Sequence, residues 1–371
     1  MDCFRTVNIL QISSASSFGG GERYVVDLTN ALVARGHDVY VAVRPGSPLP
    51  GRLQLSPEKI VTLPLRNALD VQTARELEKF VRRKAIDVVH AHMARDYSLA
   101  SYAARRNRQT KFIATRHVLF KLNRLHRHTL ARAACVIAVS QAVARELRAS
   151  QVVRNAQIVV IHNGVDVERI KRACAALDLR LFLRSIGVSV GDPGDGHLVG
   201  SIGELRTLKR HDDFIRAAAL VLKEFPETQF VLAGVGEIRE QLEKLVAELC
   251  LSDHFHFLGW LNDADKLLCA MDVFVSASET ESFGLAIVES MAAGTAVVAT
   301  ATEGAQEIIE DQQTGLLVPI GDVESIARAV VNLLSDPQQR ERIATASAQS
   351  AAKRFSLSRM VDEIEQVYLV S

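Results

Sequence analysis

The chain has 371 residues, of which 48% are hydrophobic and 23% charged, a composition typical of a folded globular protein and not of a disordered or fibrous one. This length predicts two domains of ordinary size. No apolar run reaches the roughly 18 residues that a membrane-spanning helix needs, and the apolar segment from Val7 to Ile12 is too short for the core of a signal peptide. We therefore expect a cytoplasmic protein.

The formal net charge of +1 conceals two halves of opposite charge. Residues 1–150 contain 24 Lys and Arg against 11 Asp and Glu, whereas residues 151–371 contain 20 and 32. Either the acidic half balances the basic half, or the basic half attracts an anionic membrane or a phosphorylated acceptor. The most basic stretch lacks regularly spaced aromatic residues, so we do not expect nucleic-acid binding.

Short β-branched runs alternate with amphipathic helical stretches in the first half, a pattern typical of parallel α/β architecture. A helix is predicted from about Glu22 to Arg35, and Gly36 is expected to end it. The predicted strands of this half are Thr6–Ile12, Asp38–Val43, Val88–Ala91, Phe112–Thr115, Val136–Val139 and Ile158–Ile161.

A second series of strands follows residues 187–196, which are too rich in Gly and Pro to form a regular element. An amphipathic helix is predicted over Leu357–Leu369. The pattern predicts two Rossmann-like, doubly wound parallel-sheet domains, 1–170 and 171–354, that face each other across a cleft. The predicted strands of the second half are Leu198–Ile202, Gln229–Ala233, His254–Leu258, Val273–Ser276 and Ala296–Thr300.

The five cysteines are odd in number and scattered, and they form neither a metal-ligand pattern nor an obvious disulfide framework. We expect each to be a small buried hydrophobic residue in a reducing compartment. They are Cys3, Cys135, Cys174, Cys250 and Cys269.

Residues 278–295 follow a predicted strand, and in open parallel sheets ligands bind beyond the carboxyl ends of the strands. The segment leads from an acidic loop into a helix beginning near Gly284, and the unpaired N–H groups at a helix start bind phosphate. Glu281 in the loop and Glu289 in the helix point in different directions, so they would serve opposite ends of an elongated ligand. From these residues alone, an ordinary loop with surface glutamates stays open.

Seven sequence blocks occur in an order typical of one enzyme family. Seven residues separate Glu281 from Glu289, with Ser-Phe-Gly-Leu after the first and Met-Ala-Ala-Gly-Thr after the second. On these motifs the chain resembles the family-4 retaining glycosyltransferases, which have the GT-B fold. The further matching blocks are residues 19–23, 32–39, 87–92, 136–140, 160–166 and 314–319.

The resemblance implies a metal-independent hexosyltransferase without a cofactor. It would transfer a sugar from a nucleoside-diphosphate sugar, most commonly a UDP-sugar, to an acceptor hydroxyl with retention of anomeric configuration. The implied acceptor is a glycolipid, lipopolysaccharide or cell-surface polysaccharide precursor, and a soluble metabolite stays open as the alternative. The basic first domain would bind the acceptor, with peripheral contact to an anionic membrane, and the second domain the donor. The C-terminal helix, within 355–371, would pack back on the first domain.

The resemblance also implies roles for single residues of the second domain. Glu281 would contact the donor sugar, Glu289 would accept the ribose hydroxyls, and Lys209 would neutralise the diphosphate. The backbone amides that would hold the sugar hydroxyls and the diphosphate are those of Phe283, Gly284, Leu285 and Ala286.

Two positions depart from the family pattern. Glu204 stands where an arginine is usual, and Arg206, on the same side of an extended backbone, is expected to supply the missing charge. Arg210 stands where a glycine is frequent.

In the first domain, the resemblance places His117 at the donor sugar, which makes it the second implied catalytic residue beside Glu281. Gly20 and Gly21 would let the backbone approach the diphosphate and the acceptor, and Arg116 would contact the acceptor. For Asn163, which precedes Gly164, we favour a role in a turn and keep ligand contact as the alternative.

Three alternatives stay open. A nucleotide-sugar epimerase or a phosphorylase would share the architecture. A dehydrogenase would use the Gly-x-Gly at Gly234 and Gly236, although Arg239 replaces the third glycine of that fingerprint. A catalytically silent scaffold would keep the fold without turnover.

Overall fold

The computed structural model describes residues 6–107, 109–124, 126–154, 157–188 and 196–370. The chain divides into two compact units: unit 1 comprises Met1–Gly164 with Leu357–Ser371, and unit 2 comprises Val165–Ser356. The boundary expected at residue 170 therefore falls a few residues inside unit 2. Cys3 and most of the Gly- and Pro-rich stretch 187–196 lie outside the described residues.

Unit 1 contains a seven-stranded parallel sheet with strand order β3-β2-β1-β4-β5-β6-β7. The strands are β1 (Asn8–Ser13), β2 (Asp38–Val43), β3 (Ile60–Thr62), β4 (Val88–Ala91), β5 (Lys111–Arg116), β6 (Cys135–Ala138) and β7 (Ile158–Val160). The helices between them are α1 (Gly20–Ala34), α2 (Val71–Arg83), α3 (Tyr97–Ala104), α4 (His126–Leu130) and α5 (Gln141–Ser150).

Unit 2 contains a six-stranded parallel sheet with strand order β10-β9-β8-β11-β12-β13. Its strands are β8 (Leu198–Ile202), β9 (Gln229–Ala233), β10 (Phe255–Gly259), β11 (Val273–Ser276), β12 (Ala296–Thr300) and β13 (Leu316–Val318). Its helices are α6 (Val167–Ala175), α7 (Leu179–Ser185), α8 (His211–Val221), α9 (Arg239–Glu248), α10 (Ala264–Ala270), α11 (Leu285–Ala292), α12 (Glu303–Ile308), α13 (Val323–Ser335) and α14 (Pro337–Arg354).

The central strands of both sheets are buried on both faces, which explains their nearly continuous Val, Ile and Ala content. The prediction of two doubly wound parallel-sheet domains is confirmed. The strands β3 and β13 were not predicted: each has only three residues at a sheet edge, a length that gives a weak periodic signal, although the equally short edge strand β7 was predicted from its run of Ile and Val. Among the described residues, no helix is both long and apolar enough to cross a bilayer.

The last helix, α15 (Leu357–Val370), returns to unit 1 and packs on α1. Its apolar side chains, among them Met360 and Ile364, join the core of unit 1. Arg35 at the end of α1 lies 2.7 Å from the carboxylate of Glu365, which also lies 2.9 Å from the imidazole of His37. The chain thus returns to unit 1 through α15, and this helix completes the core that the first 164 residues begin.

The expectation that every cysteine is a small buried hydrophobic residue is wrong for three of them. Cys174 at the end of α6 and Cys269 in α10 form a disulfide, and Cys250 is exposed. Of the four described cysteines, Cys135 fits the expectation, and its burial raises the pKa of its thiol to about 11. Two cysteines separated by 95 residues leave no local sequence signal of their pairing. Because the structure contains this disulfide, the cysteines no longer support a reducing compartment.

Candidate functional site

The loops that follow β8 and β11, which are neighbouring strands, bring two predicted residues of unit 2 into contact. The ammonium of Lys209 lies 2.5 Å from the carboxylate of Glu281, and the hydroxyl of Ser278 donates to the same oxygen at 2.9 Å. The Glu281 side chain is only 14% exposed. The ion pair therefore holds a cation and a carboxylate in fixed positions at the carboxyl edge of the sheet.

Helix α11 begins immediately after this loop, and its N-cap residue, Gly284, provides no side chain to cap the first turn. Gly284 precedes the helix with φ of +111°, where a side chain would be strained, and a Cβ there would lie 3.0 Å from Ile287. Leu285 and Ala286 open the helix and are half-buried. The amides of this first turn carry the positive end of the helix dipole, which suits a phosphate or a hydroxyl oxygen.

The side chain of Phe283 is buried, and its ring packs edge-on against Phe355 at 5.6 Å between centroids. Phe283 therefore anchors the loop, and only its backbone is in a position to serve a ligand. Glu289 lies in the second turn of α11 and is half-buried. Glu281, by contrast, lies in the loop, four residues before the first residue of the helix.

Gly304 in α12 is a positioning residue that the sequence analysis missed. A Cβ at this position would lie 2.6 Å from the carbonyl oxygen of Glu281 and 2.7 Å from that of Phe283. Only glycine lets α12 approach the backbone of this loop so closely. The available signal was a glycine four residues after β12 and two residues after the N-cap Thr302, but its contact partners lie more than 20 residues away.

Arg206 does not supply an unpaired charge. Its guanidinium lies 2.9 Å from the carboxylate of Glu204, and both side chains are about half exposed, at 58% and 48%. The two charges offset each other, and Lys209 is left as the cation of this loop that contacts a predicted site residue.

Arg210, at the position where the family frequently has a glycine, has a backbone conformation that favours glycine. Its φ is +48°, in the left-handed region, which explains why glycine suits the position. Here an ion pair with Asp213, at 2.6 Å, accompanies the unusual backbone.

The Gly-x-Gly sequence of the dehydrogenase alternative has a packing role. A Cβ at Gly236 would lie 2.3 Å from the carbonyl oxygen of Leu205, and the amide of Leu205 donates to the carbonyl of Val235 at 3.0 Å. The glycines thus join the loops that follow β8 and β9, and in doing so they help to position the loop that carries Lys209.

In unit 1, a cavity of about 450 Å³ lies at the carboxyl edge of the sheet and is lined by Gly21, Arg116 and His117 among other residues. The ring of His117 faces the start of α1: its Cγ would lie 3.8 Å from a Cβ at Gly21. Gly20 is the first residue of that helix. The structure therefore brings together four of the residues that the sequence predicted for this unit.

Arg116 is buried at 7% exposure, and it donates to the carbonyl of Phe120. Asn163 is also buried, and its Oδ1 has no hydrogen-bond partner among the described residues. The expected turn at Asn163 and Gly164 is absent from this described stretch of chain. The preferred turn role of Asn163 is therefore wrong, and its unsatisfied oxygen keeps the ligand-contact alternative open.

Beneath the cavity lies a buried hydrogen-bond network that the sequence analysis missed. The hydroxyl of Tyr368 in α15 lies 2.6 Å from Nδ1 of His90 and accepts from Gln11 at 3.3 Å. Nε2 of His90 contacts the hydroxyl of Thr115 at 2.7 Å, and Nε2 of His92 contacts Oε1 of Gln11 at 2.6 Å. Since an amide oxygen only accepts, His92 carries its proton on Nε2, which leaves Nδ1 as an acceptor.

The histidines of this network are held neutral. Burial lowers the pKa of His90 to about 3 and that of His117 to about 3, with a further contribution from Arg116 at His117. Burial also holds the pKa of His92 well below its usual value. Nδ1 of His92 and Nε2 of His117 have no hydrogen-bond partner among the described residues, so each is available to a ligand hydroxyl.

Arg95 is a second cation of the cavity that the sequence analysis did not single out. Its guanidinium donates to the carbonyl of Ser14 at 3.2 Å, and its buried Nε lacks a partner within the described structure. The neighbouring Asp96 accepts from the amide of Ser14 at 2.9 Å, and burial raises the pKa of Asp96 to about 6. Arg95 and Arg116 together make the cavity suited to an anionic group.

Comparison with known proteins identifies the family to which the chain belongs. The family model of the Glycosyltransferase Family 4 matches residues 18–169, and that of the Glycosyl transferases group 1 matches residues 188–350. The chain is 30% identical over 354 residues to the lipopolysaccharide core biosynthesis glycosyltransferase LpsE of Rhizobium meliloti (strain 1021), covering 94% of this chain and 95% of that protein. The chain belongs to the family-4 glycosyltransferases, as its motifs predicted.

Two further relatives show the range of the family. The chain is 26% identical to the N-acetyl-alpha-D-glucosaminyl L-malate synthase of Bacillus anthracis, over 96% of this chain and 95% of the relative. It is 30% identical to the phosphatidyl-myo-inositol mannosyltransferase of Mycolicibacterium smegmatis, over 94% and 90%.

Solved structures share the fold. A glycosyltransferase from Rickettsia africae ESF-5 superposes with a TM-score of 0.85 at 23% identity, covering 99% of this chain and 100% of that one. Anabaena Alr3699/HepE, in complex with UDP and glucose, superposes with a TM-score of 0.82 at 22% identity, covering 97% and 98%.

Proposed function

We propose that this protein transfers a hexose from a nucleoside-diphosphate sugar, most often a UDP-sugar, to an acceptor hydroxyl with retention of anomeric configuration. The observation that carries the proposal is the pair of Lys209 and Glu281 beside the uncapped first turn of α11. A cation, a carboxylate and a row of backbone amides at one sheet edge match the diphosphate and the hydroxyls of such a donor.

The donor roles follow from the charge that develops in the reaction. The bond between the anomeric carbon and the diphosphate oxygen breaks, and the leaving nucleoside diphosphate gains negative charge. Lys209 and the amides of Phe283, Gly284, Leu285 and Ala286 would stabilise this charge, so the reaction would need neither a metal ion nor a cofactor. Glu281 would hold the sugar, and Glu289 the ribose hydroxyls.

Unit 1 would contribute the neutral imidazole of His117, whose unpartnered Nε2 suits a hydroxyl of the reacting sugar. Gly20 and Gly21 would give close access to the start of α1. Arg95 and Arg116 would bind an anionic group of the acceptor, with Asn163 as a further contact. An anionic acceptor is consistent with relatives named for L-malate and phosphatidyl-myo-inositol.

The acceptor we propose is a glycolipid, lipopolysaccharide or polysaccharide precursor, in keeping with the relative named for lipopolysaccharide core biosynthesis. Unit 1 has a net charge of +12, from 26 Lys and Arg against 14 Asp and Glu. Such a charge would favour peripheral contact with an anionic membrane at its cytoplasmic face.

A thermal-shift panel of nucleoside diphosphates and nucleotide sugars tests the donor class, because a ligand that binds the folded state raises its melting temperature. One nucleotide should raise the melting temperature of the wild type and much less that of Lys209→Ala and Glu289→Ala. Turnover is then measured by the release of the nucleoside diphosphate. The NMR coupling constants of the product give its anomeric configuration. A wild type that responds to no nucleotide would refute the proposal, and binding without turnover on any acceptor would favour a silent scaffold.

A further inference from the structure

Unit 1 contains a second cavity, of about 630 Å³, at the opposite edge of its sheet. It opens where α3 ends and β5 begins, whereas His117 follows the other end of β5. The six residues of that strand span roughly 20 Å. The second cavity is therefore separate from the site at the carboxyl edge.

Arginine side chains surround this cavity, and none of the described residues that line it is Asp or Glu. The guanidinium of Arg106 lies 3.6 Å from the carboxylate of Glu78. Neither Arg105 nor Arg132 pairs with a carboxylate of the described residues, and the guanidinium of Arg105 lies 3.8 Å from the ring centroid of Tyr102. Stacking on the ring restricts Arg105 before any ligand arrives.

The floor of the cavity contains a polar group that faces the cavity. Ser101 in α3 is 5% exposed as a residue and lines the cavity, and its hydroxyl is not among the buried polar atoms that lack a partner in the described structure. A hydroxyl that lines the cavity is able to donate to a ligand oxygen there. The side-chain amide of Asn107, at the rim, is a further donor.

The electrostatic balance of the cavity favours an anion. The carboxyl end of α3 points toward it and carries about half a negative charge. Arg105 and Arg132 contribute two full positive charges without carboxylate partners, and Arg106 adds a third that Glu78 offsets in part. The guanidinium fork matches two oxygens of a phosphate group.

We propose that this cavity binds a phosphate group, carried either by a soluble phosphorylated compound or by a lipid headgroup. The phosphate oxygens would accept from the guanidinium groups of Arg105 and Arg132, and from the hydroxyl of Ser101. This site is additional to the donor and acceptor sites of the transfer reaction, and glycosyl transfer does not depend on it.

Hydrogen exchange reports binding at the cavity itself. Such a local measurement is needed because a phosphate probe is also expected to bind near Lys209 and near Arg95. The probes are inorganic pyrophosphate in solution, and vesicles of equal parts phosphatidylcholine and phosphatidylglycerol. Either probe should slow amide exchange in residues 101–107 and 109–112 of the wild-type protein. The apparent affinity from a titration of this effect should fall about tenfold in Arg132→Ala. It should also weaken with added salt.

Arg148→Ala is the matched control, since Arg148 is an exposed arginine of the same unit on α5. It should bind within about twofold of the wild type, a difference too small for a lost charge-assisted bond. Protection by pyrophosphate identifies a soluble ligand, and protection by vesicles alone identifies a lipid headgroup. The proposal is wrong if neither probe protects this segment, or if Arg132→Ala and Arg148→Ala bind alike. Transfer activity in Arg132→Ala should match the wild type, which separates this site from the proposed reaction.

Discussion

The candidate sites of the two units are built in opposite ways. In unit 2, Lys209 and Glu281 form a charged pair on two loops, next to a helix start whose N-cap residue is a glycine. In unit 1, His90 and His117 are neutral and lie in or above a buried network that ends on Tyr368. The first arrangement offers charge to a ligand, whereas the second offers fixed, uncharged hydrogen-bonding groups.

This difference has an energetic consequence. In the loop site the side chain of Lys209 is still 31% exposed, so a change in the pair should alter binding and turnover more than stability. A buried network satisfies its polar groups internally, and a change there should reduce the free energy of unfolding. The following variants test this division.

The largest expected effect is on turnover, in Glu281→Gln. The amide keeps the size of the side chain and its contact with Ser278, but it removes the negative charge that faces Lys209. We expect transfer to fall about 100- to 1,000-fold, as for other lost groups at a reacting centre, with an unchanged melting temperature. Glu279→Gln in the same loop is exposed and serves as the control. Equal rates in the two variants would remove Glu281 from the site.

The next effect is expected in Gly304→Ala. The new Cβ would meet the carbonyl oxygens of Glu281 and Phe283 at 2.6 and 2.7 Å, so the loop must shift. Displacement of a catalytic group by a fraction of an ångström lowers transfer by about 10- to 100-fold. Gly51→Ala, where nothing lies within 4 Å of the new Cβ, should leave transfer unchanged. Wild-type kcat in Gly304→Ala would show that the loop position is not set by α12.

In unit 1, Tyr368→Phe should lower stability. The variant keeps the ring but removes the hydroxyl that contacts His90 and Gln11, leaving two buried groups without a partner. We expect a loss of about 1–3 kcal/mol in the free energy of unfolding, measured by urea denaturation. The hydroxyl of Tyr102 makes no hydrogen bond with the described residues, so Tyr102→Phe is the control. A stable Tyr368→Phe protein would mean that the network does not tie α15 to its unit.

The smallest effect, for each group and pH unit, is on the pH dependence of stability. The folded-state pKa values of His90 and His117 are about 3, against an ordinary value of about 6.5. The unfolded chain therefore takes up protons first as the pH falls through 6.5, and stability decreases toward pH 3, by up to about 1.4 kcal/mol per pH unit for each group. Asp96, with a pKa raised to about 6, opposes this trend between about pH 6 and pH 4.

Urea titrations between about pH 7 and about pH 5 should show this slope, and His117→Asn should reduce it. The residual slope then belongs to the other histidines whose pKa is lowered by burial. These are His90 and His92 in unit 1, and His256 and His211 in unit 2, where the pKa of His211 is about 4. An unchanged slope in His117→Asn would contradict a neutral, buried His117.

The sequence predicted much of unit 2 because its chemistry lies on short contiguous segments. The segment from Glu281 to Glu289 and the loop around Lys209 contain all the residues that we propose for the donor site, and strand ends place these two segments at one edge. The pairing of Arg206 with Glu204 was not predicted. The spacing of residues in a sequence indicates on which side of the backbone a side chain lies, but not which residue it pairs with.

Unit 1 was less predictable because its network is not local. Gln11 and Tyr368 are 357 residues apart, and no spacing rule joins a strand near the start of a chain to its last helix. The disulfide between Cys174 and Cys269 was missed for the same reason. Packing of Gly304 against the Glu281 loop was hidden as well, since a close approach appears only when both backbones are placed.

The measurement that tests the central claim most directly is calorimetric titration of UDP into the wild type, Lys209→Ala and Lys223→Ala. Lys209 pairs with Glu281, whereas Lys223 is an exposed lysine that follows α8 in the same unit. We predict that UDP binds Lys209→Ala at least about tenfold more weakly than the wild type, as expected for a lost charge-assisted contact, and that Lys223→Ala binds normally. Equal affinity in all three proteins would contradict a donor site at Lys209 and the start of α11.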